Sequence, residues 1–183
     1  MAEMTGLPFN LADFRHGSRR LQAMNPAWAA RLGEELARID PWLRLGYSSR
    51  SLCQYLSAAV QGRVALAVLE DETPAACLTI RPDWLRGPLL ECLAVLPEFQ
   101  GGGLGREIIR WLAGQASGQR QGNLWTLCAE FNLPAREFYA RQGFATAGTL
   151  PDLIGAGETE ILLRLRLNRR EAGPVQVDTD NGT

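Results

Sequence analysis

The stretch Leu89-Leu90-Glu91-Cys92-Leu93-Ala94-Val95-Leu96-Pro97-Glu98-Phe99-Gln100-Gly101-Gly102-Gly103-Leu104-Gly105-Arg106 constrains this chain more than any other. A run that is apolar except for Glu91 reads as a buried strand. A glycine-dense turn follows, and an apolar stripe at Leu104, Ile108, Trp111 and Leu112 marks that turn as the start of an amphipathic helix. The N–H groups at a helix start have no partner within the helix, and the helix dipole adds partial positive charge. Strand, turn and helix together predict an anion site at residues 101–106, suited to phosphate or pyrophosphate. Three consecutive glycines let the backbone approach a bulky anion without Cβ clashes. No Gly-Lys-Ser/Thr follows, so the turn is not a P-loop. Gly103-x-Gly105 is followed by Arg106, Glu107 and Ile108 instead of the last glycine of a dinucleotide fingerprint.

Around this segment the hydrophobic period changes twice. Residues 19–24 read as a short strand. Asn25-Pro26 opens a helix, with Asn as N-cap and Pro in the first turn, and Trp28, Leu32, Leu36 and Ile39 give it one buried stripe that stops at Asp40-Pro41. Ser48 or Ser49 caps a second helix running to about Val60. Residues 64–69 and 75–80 form a hairpin across a polar turn, and residues 81–88 read as a loop with two prolines and a glycine. Residues 89–95 and 124–128 are strands four and five, residues 134–142 a short helix ended by Gly143, and residues 144–150 and 158–167 the last two strands. The expected fold class is α/β (α+β). Residues 1–18 form an N-terminal arm, residues 19–167 one domain, and residues 168–183 a polar, disordered tail.

Composition limits the function. Nineteen Lys and Arg against 20 Asp and Glu leave a charge of −1, which argues against nucleic-acid or anionic-membrane binding as the main activity. A small basic patch around a phosphorylated ligand stays compatible with it. No apolar window is long enough to span a bilayer, and the first 17 residues do not read as a secretory signal. Cys53, Cys77, Cys92 and Cys128 form no CxxC pair and the single His16 sits beside none of them, so no metal site is expected. A reducing cytoplasm is the simplest setting for such cysteines.

Gln100-x-x-Gly103-x-Gly105 resembles the pyrophosphate loop Q/R-x-x-G-x-G/A of the GNAT N-acetyltransferase superfamily. Asn132-Leu133-Pro134-Ala135-Arg136-Glu137-Phe138-Tyr139-Ala140-Arg141-Gln142-Gly143-Phe144 is similar to the superfamily's N-x-x-A-x-x-F-Y-x-x-x-G-F segment. The resemblance covers residues 64–166 and, more loosely, the two helices before them. It implies a mixed, mostly antiparallel sheet of six to seven strands, splayed between strands 4 and 5 and flanked by about four helices. It also implies acetyl-CoA as co-substrate and an amine acceptor. The backbone of Leu93, Ala94 and Val95 would bond the pantetheine arm. Gly101, Gly102, Gly103, Leu104, Gly105 and Arg106 would seat the pyrophosphate, and Asn132 would bond the arm from the far side. Relatives often carry Arg or Lys where Gly101 and Gly102 stand, and Arg106 can supply part of that charge.

By the same resemblance Tyr139 is the general acid toward the departing thiolate, and the Val95 N–H polarises the thioester carbonyl. Direct attack requires a neutral amine, so a proton must leave an ammonium first. Glu91 is the expected base. Strand alternation puts it on the face of Leu93 and Val95, and burial among Leu90, Cys92 and Leu93 would suit it to take a proton near neutrality. Glu130 is the second candidate, and an ordered water chain is a third route. Trp42 and Tyr47, between the first two helices, either contact the acceptor or plug the loop. Cys92 and Cys128 are expected as buried apolar residues and not as covalent carriers. The carboxylate that ribosomal-protein alanine acetyltransferases carry in the strand before the Asn motif is replaced here by Leu127. A noncatalytic acyl-CoA-binding module of the same fold is the alternative, and an exposed edge strand allows a homodimer.

Overall fold

The computed structural model describes residues 7–167 of the 183; the tail expected at 168–183 lies outside them. One seven-stranded sheet carries the molecule, in the order β1-β2-β3-β4-β5-β7-β6. Its strands are β1 (Arg20–Ala23), β2 (Val64–Glu70), β3 (Thr73–Trp84), β4 (Gly87–Val95), β5 (Asn123–Ala129), β6 (Ala145–Pro151) and β7 (Thr159–Arg166). The helices are α1 (Pro26–Leu36), α2 (Ser49–Ser57), α3 (Leu104–Gly118) and α4 (Leu133–Arg141). All neighbouring strands run antiparallel except β4 and β5, which are parallel.

The near-continuous apolar runs of β2 to β4 follow from burial on both faces. On one face Ala67, Leu69, Cys77, Ala94 and Leu96 pack against Leu32 and Leu36 of α1 and Leu52 and Leu56 of α2. On the other, Leu66, Val68, Leu78, Ile80 and Leu90 pack against Leu104, Ile108 and Leu112 of α3 and Tyr139 of α4. The segment before β1 lies along α3: Phe9 and Phe14 meet the Trp111 ring edge-on at 5.8 and 6.4 Å, and the Trp111 indole N–H donates to the Asn10 carbonyl at 3.1 Å.

Three boundaries differ from those expected by more than two residues. α1 stops at Leu36, and Ile39 reaches the same core from the following turns. α2 stops at Ser57, where Arg63 folds back to donate to the carbonyls of Tyr55 and Ala58. The loop expected at 81–88 is a hairpin instead, since β3 continues to Trp84 and β4 begins at Gly87. Leu85 and Arg86, both at positive φ, make the reversal. Trp84 packs edge-on against Trp125 at 5.5 Å, and Trp125 Nε1 donates to the Leu85 carbonyl, so tertiary packing extends strands whose prolines read as loop. The register shift between Arg81 and Trp84 accommodates Pro82.

α1 and α2 approach closely at Gly33, where an added Cβ would lie 2.8 Å from the Cys53 amide nitrogen and 2.9 Å from the Ser49 carbonyl oxygen. Gly33→Ala is expected to lower stability by roughly 1–3 kcal/mol in denaturant unfolding. Gly114→Ala, in open space within α3, is expected to raise it by up to about 1 kcal/mol.

Candidate active site

β4 and β5 are paired only at Leu89 with Trp125 and at Leu90 with Thr126, whose hydroxyl donates to the Leu90 carbonyl at 2.9 Å. Beyond that point β4 stays with β3, β5 stays with β7, and a gap opens between them. The Leu96 N–H donates to the Ala75 carbonyl across the β3–β4 ladder. Antiparallel ladders alternate, so the backbone groups of Ala94 also turn to β3, while those of Leu93 and Val95 turn into the gap. Of the three expected contacts, Ala94 is therefore spent on the ladder and buried, which leaves Leu93 and Val95.

Thr79 pairs with Cys92 but Ile80 pairs with Leu90, so Glu91 is an extra residue, a β-bulge. The bulge breaks the expected alternation. Glu91 lies toward α2, with Arg81 Nε donating to Oε1 and the Tyr55 hydroxyl 3.5 Å from Oε2, whereas Leu93 and Val95 pack toward α3 and α4. Tyr55 itself bonds Thr79 at 2.7 Å.

At the far end of β4 the glycine turn takes the form its composition predicts. Gly101 and Gly103 adopt φ of +79° and +82°, and Gly103 is the N-cap of α3. The Leu104 side chain is buried beneath the turn. Gly105 is pressed on the Phe138 ring, 3.2 Å from where its Cβ would be. The first backbone donor after Gln100 that finds a carbonyl is Glu107 N–H, bonded to Gly103, so the N–H groups of residues 101–106 have no acceptor among the described residues. The Arg106 guanidinium folds back over Gly103, 3.3 Å from the place of a Cβ there. It brings the positive charge that Gly101 and Gly102 do not. The Gln100 amide donates to the Val95 carbonyl at 2.8 Å, tying the turn to the open end of the gap.

The gap continues into a cleft of about 420 Å³. Tyr139 lines it where β4 and β5 part, its ring held edge-on by Phe138 and Phe144 at 5.1 and 5.3 Å. Burial raises the Tyr139 phenol above the ordinary tyrosine range, against a smaller opposing pull from the Thr126 hydroxyl. Asn132 also lines the cleft. Its Oδ1 accepts from the Ala135 N–H as the cap of α4, and its amide NH2 has no acceptor among the described residues. Trp42, Leu45 and Tyr47 of the α1–α2 loop form the outer wall, and Arg44 of that loop stacks on Phe131 at 3.9 Å.

Glu91, Leu93, Asn132 and Tyr139 thus meet in one cleft. Glu130 is exposed, and neither it nor His16 lines the cleft. Burial pushes the Cys128 thiol up to about 12, with the Glu160 charge adding to it, so the thiol stays protonated near neutrality. Glu160 was not singled out by the sequence. It lines the cleft from β7, 7% exposed, and burial, followed by the Glu158 charge, raises its carboxyl above the usual range. Only the pairing of Ala129 with Glu160 across β5 and β7 brings it there.

A sequence model of the acetyltransferase (GNAT) family matches residues 28–144. The chain belongs to the GNAT acetyltransferase family. As a GNAT protein it is an acyltransferase with acetyl-CoA as co-substrate. No curated protein sequence matches it. Among solved structures, a GNAT-family protein from Desulfovibrio desulfuricans superposes with a TM-score of 0.64 at 22% identity, over 82% of this chain and 99% of that one. The ribosomal-protein-S18-alanine N-acetyltransferase of Escherichia coli gives 0.63 at 19%, over 86% and 97%. An aminoglycoside 6′-N-acetyltransferase complexed with coenzyme A gives 0.63 at 15%, over 82% and 98%. These likenesses show the GNAT fold, and the parting of β4 from β5 is seen in this chain's own pairing.

Gly103→Ala would force an L residue into a left-handed conformation and displace Arg106. Calorimetry with coenzyme A is expected to show affinity reduced by about tenfold or more, a loss of roughly 1.4 kcal/mol. Unchanged affinity would contradict the placement of the diphosphate at this turn.

Proposed function

We propose that this protein transfers the acetyl group of acetyl-CoA directly to a primary amine, carried by a small molecule or by a peptide or protein. One observation carries the reading. Leu93 and Tyr139 line one cleft, the Val95 backbone faces the gap that opens into it, and the unpartnered amides of residues 101–106 follow at the end of β4, where Gln100 ties their turn to Val95.

In this reading the diphosphate rests on the amides of residues 101–106, with Arg106 beside it. The pantetheine arm runs along the gap as a substitute strand, bonded by Leu93 and Val95 and, from the opposite wall, by the Asn132 amide. The Val95 N–H points at the thioester oxygen and stabilises the charge that develops there. The amine nitrogen attacks the carbonyl carbon, the C–N bond forms, the C–S bond breaks, and Tyr139 gives its proton to the thiolate. A buried phenol that keeps its proton through the neutral range suits this part. Because Cys128 stays protonated, it is a poor carrier of an acetyl group, which favours direct attack over a route through that thiol.

Glu91 takes a different part from the proton acceptor expected of it. Arg81 already holds its Oε1, with the Tyr55 hydroxyl 3.5 Å from Oε2, so it orients the incoming ammonium and leaves the proton to another group. Residues 19–167 are assigned as the catalytic domain. Four free thiols fit a reducing, cytoplasmic setting.

Release of coenzyme A over a panel of primary amines tests the function, and no release with any of them would contradict it. Tyr139→Phe is expected to lower kcat on the order of a hundredfold while leaving the KM for acetyl-CoA within about twofold. Equal rates would remove Tyr139 from the mechanism. Because its proton is held more tightly than usual, the rate should show no fall from phenol ionisation below about pH 10. The same shift has a consequence for stability. The contribution of Tyr139 is fully present below the unfolded-state value of about 10 and is lost as pH rises above it.

A further inference from the structure

We propose that Glu160 is the group that accepts the proton of the attacking ammonium. The assignment rests on the acetyl-transfer reading above and adds to it the residue that makes the amine nucleophilic.

Two carboxylates line the cleft, and their surroundings differ. Glu91 stands on a bulge with Arg81 on one oxygen and Tyr55 beside the other. Glu160 makes no side-chain hydrogen bond or ion pair among the described residues, although it is only 7% exposed. A carboxylate shielded from water and without a cation takes up a proton more readily than a solvated one.

Register fixes the direction in which Glu160 points. Cys128 pairs with Ile161 and Thr126 with Leu163, and Cys128, Ile161 and Leu163 lie in the core against α3 and α4. Glu160 and Ala129, one step along each strand, face the opposite side, where Trp42, Tyr47 and Leu127 border the cleft. Leu127 occupies the position at which a carboxylate from β5 itself would enter. Glu160 reaches the same face from the adjacent strand, diagonal to Leu127. The groups around it are Glu158 on its own strand, Cys128 on β5, Tyr139 and Arg136 on α4 and, across the cleft, Tyr47, Tyr55, Arg63, and Glu91 with Arg81. Each of these cations already has an acceptor: Arg81 on Glu91, Arg63 on the carbonyls of Tyr55 and Ala58, and Arg136 on the carbonyl of Glu130.

The protons balance. The acceptor ammonium gives one proton to Glu160, and its lone pair then forms the bond to the acetyl carbon. The second proton leaves nitrogen as the amide forms. The thiolate takes a proton from Tyr139, which is restored by that second one, and Glu160 returns its own to solvent.

Two measurements on the full chain test the role. In protein labelled with carboxyl-13C glutamate, the resonance missing from Glu160→Gln should titrate at higher pH than the other glutamates. Titration together with them would overturn the proposal. In kinetics with glycinamide, N-acetyl-lysine, spermidine and phenethylamine as probes, Glu160→Gln should lower kcat/KM on the order of a hundredfold at pH 7 and abolish the acidic limb of the pH profile. Glu160→Asp should restore that limb, and Glu91→Gln should retain it. The rise in Tm on adding coenzyme A should be the same for wild type and Glu160→Gln, which separates loss of proton transfer from loss of fold. An acidic limb that persists in Glu160→Gln would overturn the role of Glu160 alone. A wild type that binds coenzyme A but acetylates none of the four probes would overturn the acetyl-transfer reading, and this role with it.

Discussion

Two residues on each side, Leu89 and Leu90 against Trp125 and Thr126, hold β4 to β5, and the rest of the site depends on how briefly they do so. Had the ladder continued, Leu93 and Val95 would have spent their N–H and C=O groups on β5, and Tyr139 would face a closed sheet. The strands can part because each has another neighbour. β3 pairs along β4 and β7 along β5, so the opening leaves only one edge of each unsatisfied. In the proposed reading a linear ligand carrying amides pairs with those edges as a missing strand would.

The same economy governs the glycine turn. Gly101 and Gly103 accept a left-handed backbone, Leu104 pins the turn from beneath, and Gly105 lets α3 settle on Phe138. What remains is a row of N–H groups with no acceptor among the described residues. Gln100 links that row to Val95 at the open end of the gap. Across the cleft, charge is distributed unequally. Arg81 and Tyr55 fix Glu91, and Glu160 is left with burial alone.

Much of this could be read from the residues in order. Glycine spacing, the helix stripe after it and the Asn132 to Phe144 segment are local patterns, and they form a left-handed turn, the buried stripe of α3 and the Asn132-capped α4. Features set by pairing between distant segments could not be read. The hairpin at Leu85-Arg86 depends on Trp125, some forty residues away, supplying a packing face for Trp84 and a donor for the Leu85 carbonyl. The bulge at Glu91 is a property of the β3–β4 register, so alternation counted along one strand places that side chain on the wrong face. Glu160 lies in an ordinary strand sequence, and only its neighbour in β5 reveals what it faces.

The most direct test of the account is a titration of the 15N-labelled protein followed through its backbone amide resonances. Coenzyme A and its 3′-phospho-ADP half should both shift the amides of residues 101–106 strongly, while pantetheine alone should leave them in place and move those of Leu93 and Val95. Amides 101–106 that stay unmoved while coenzyme A binds elsewhere would contradict the account at its root.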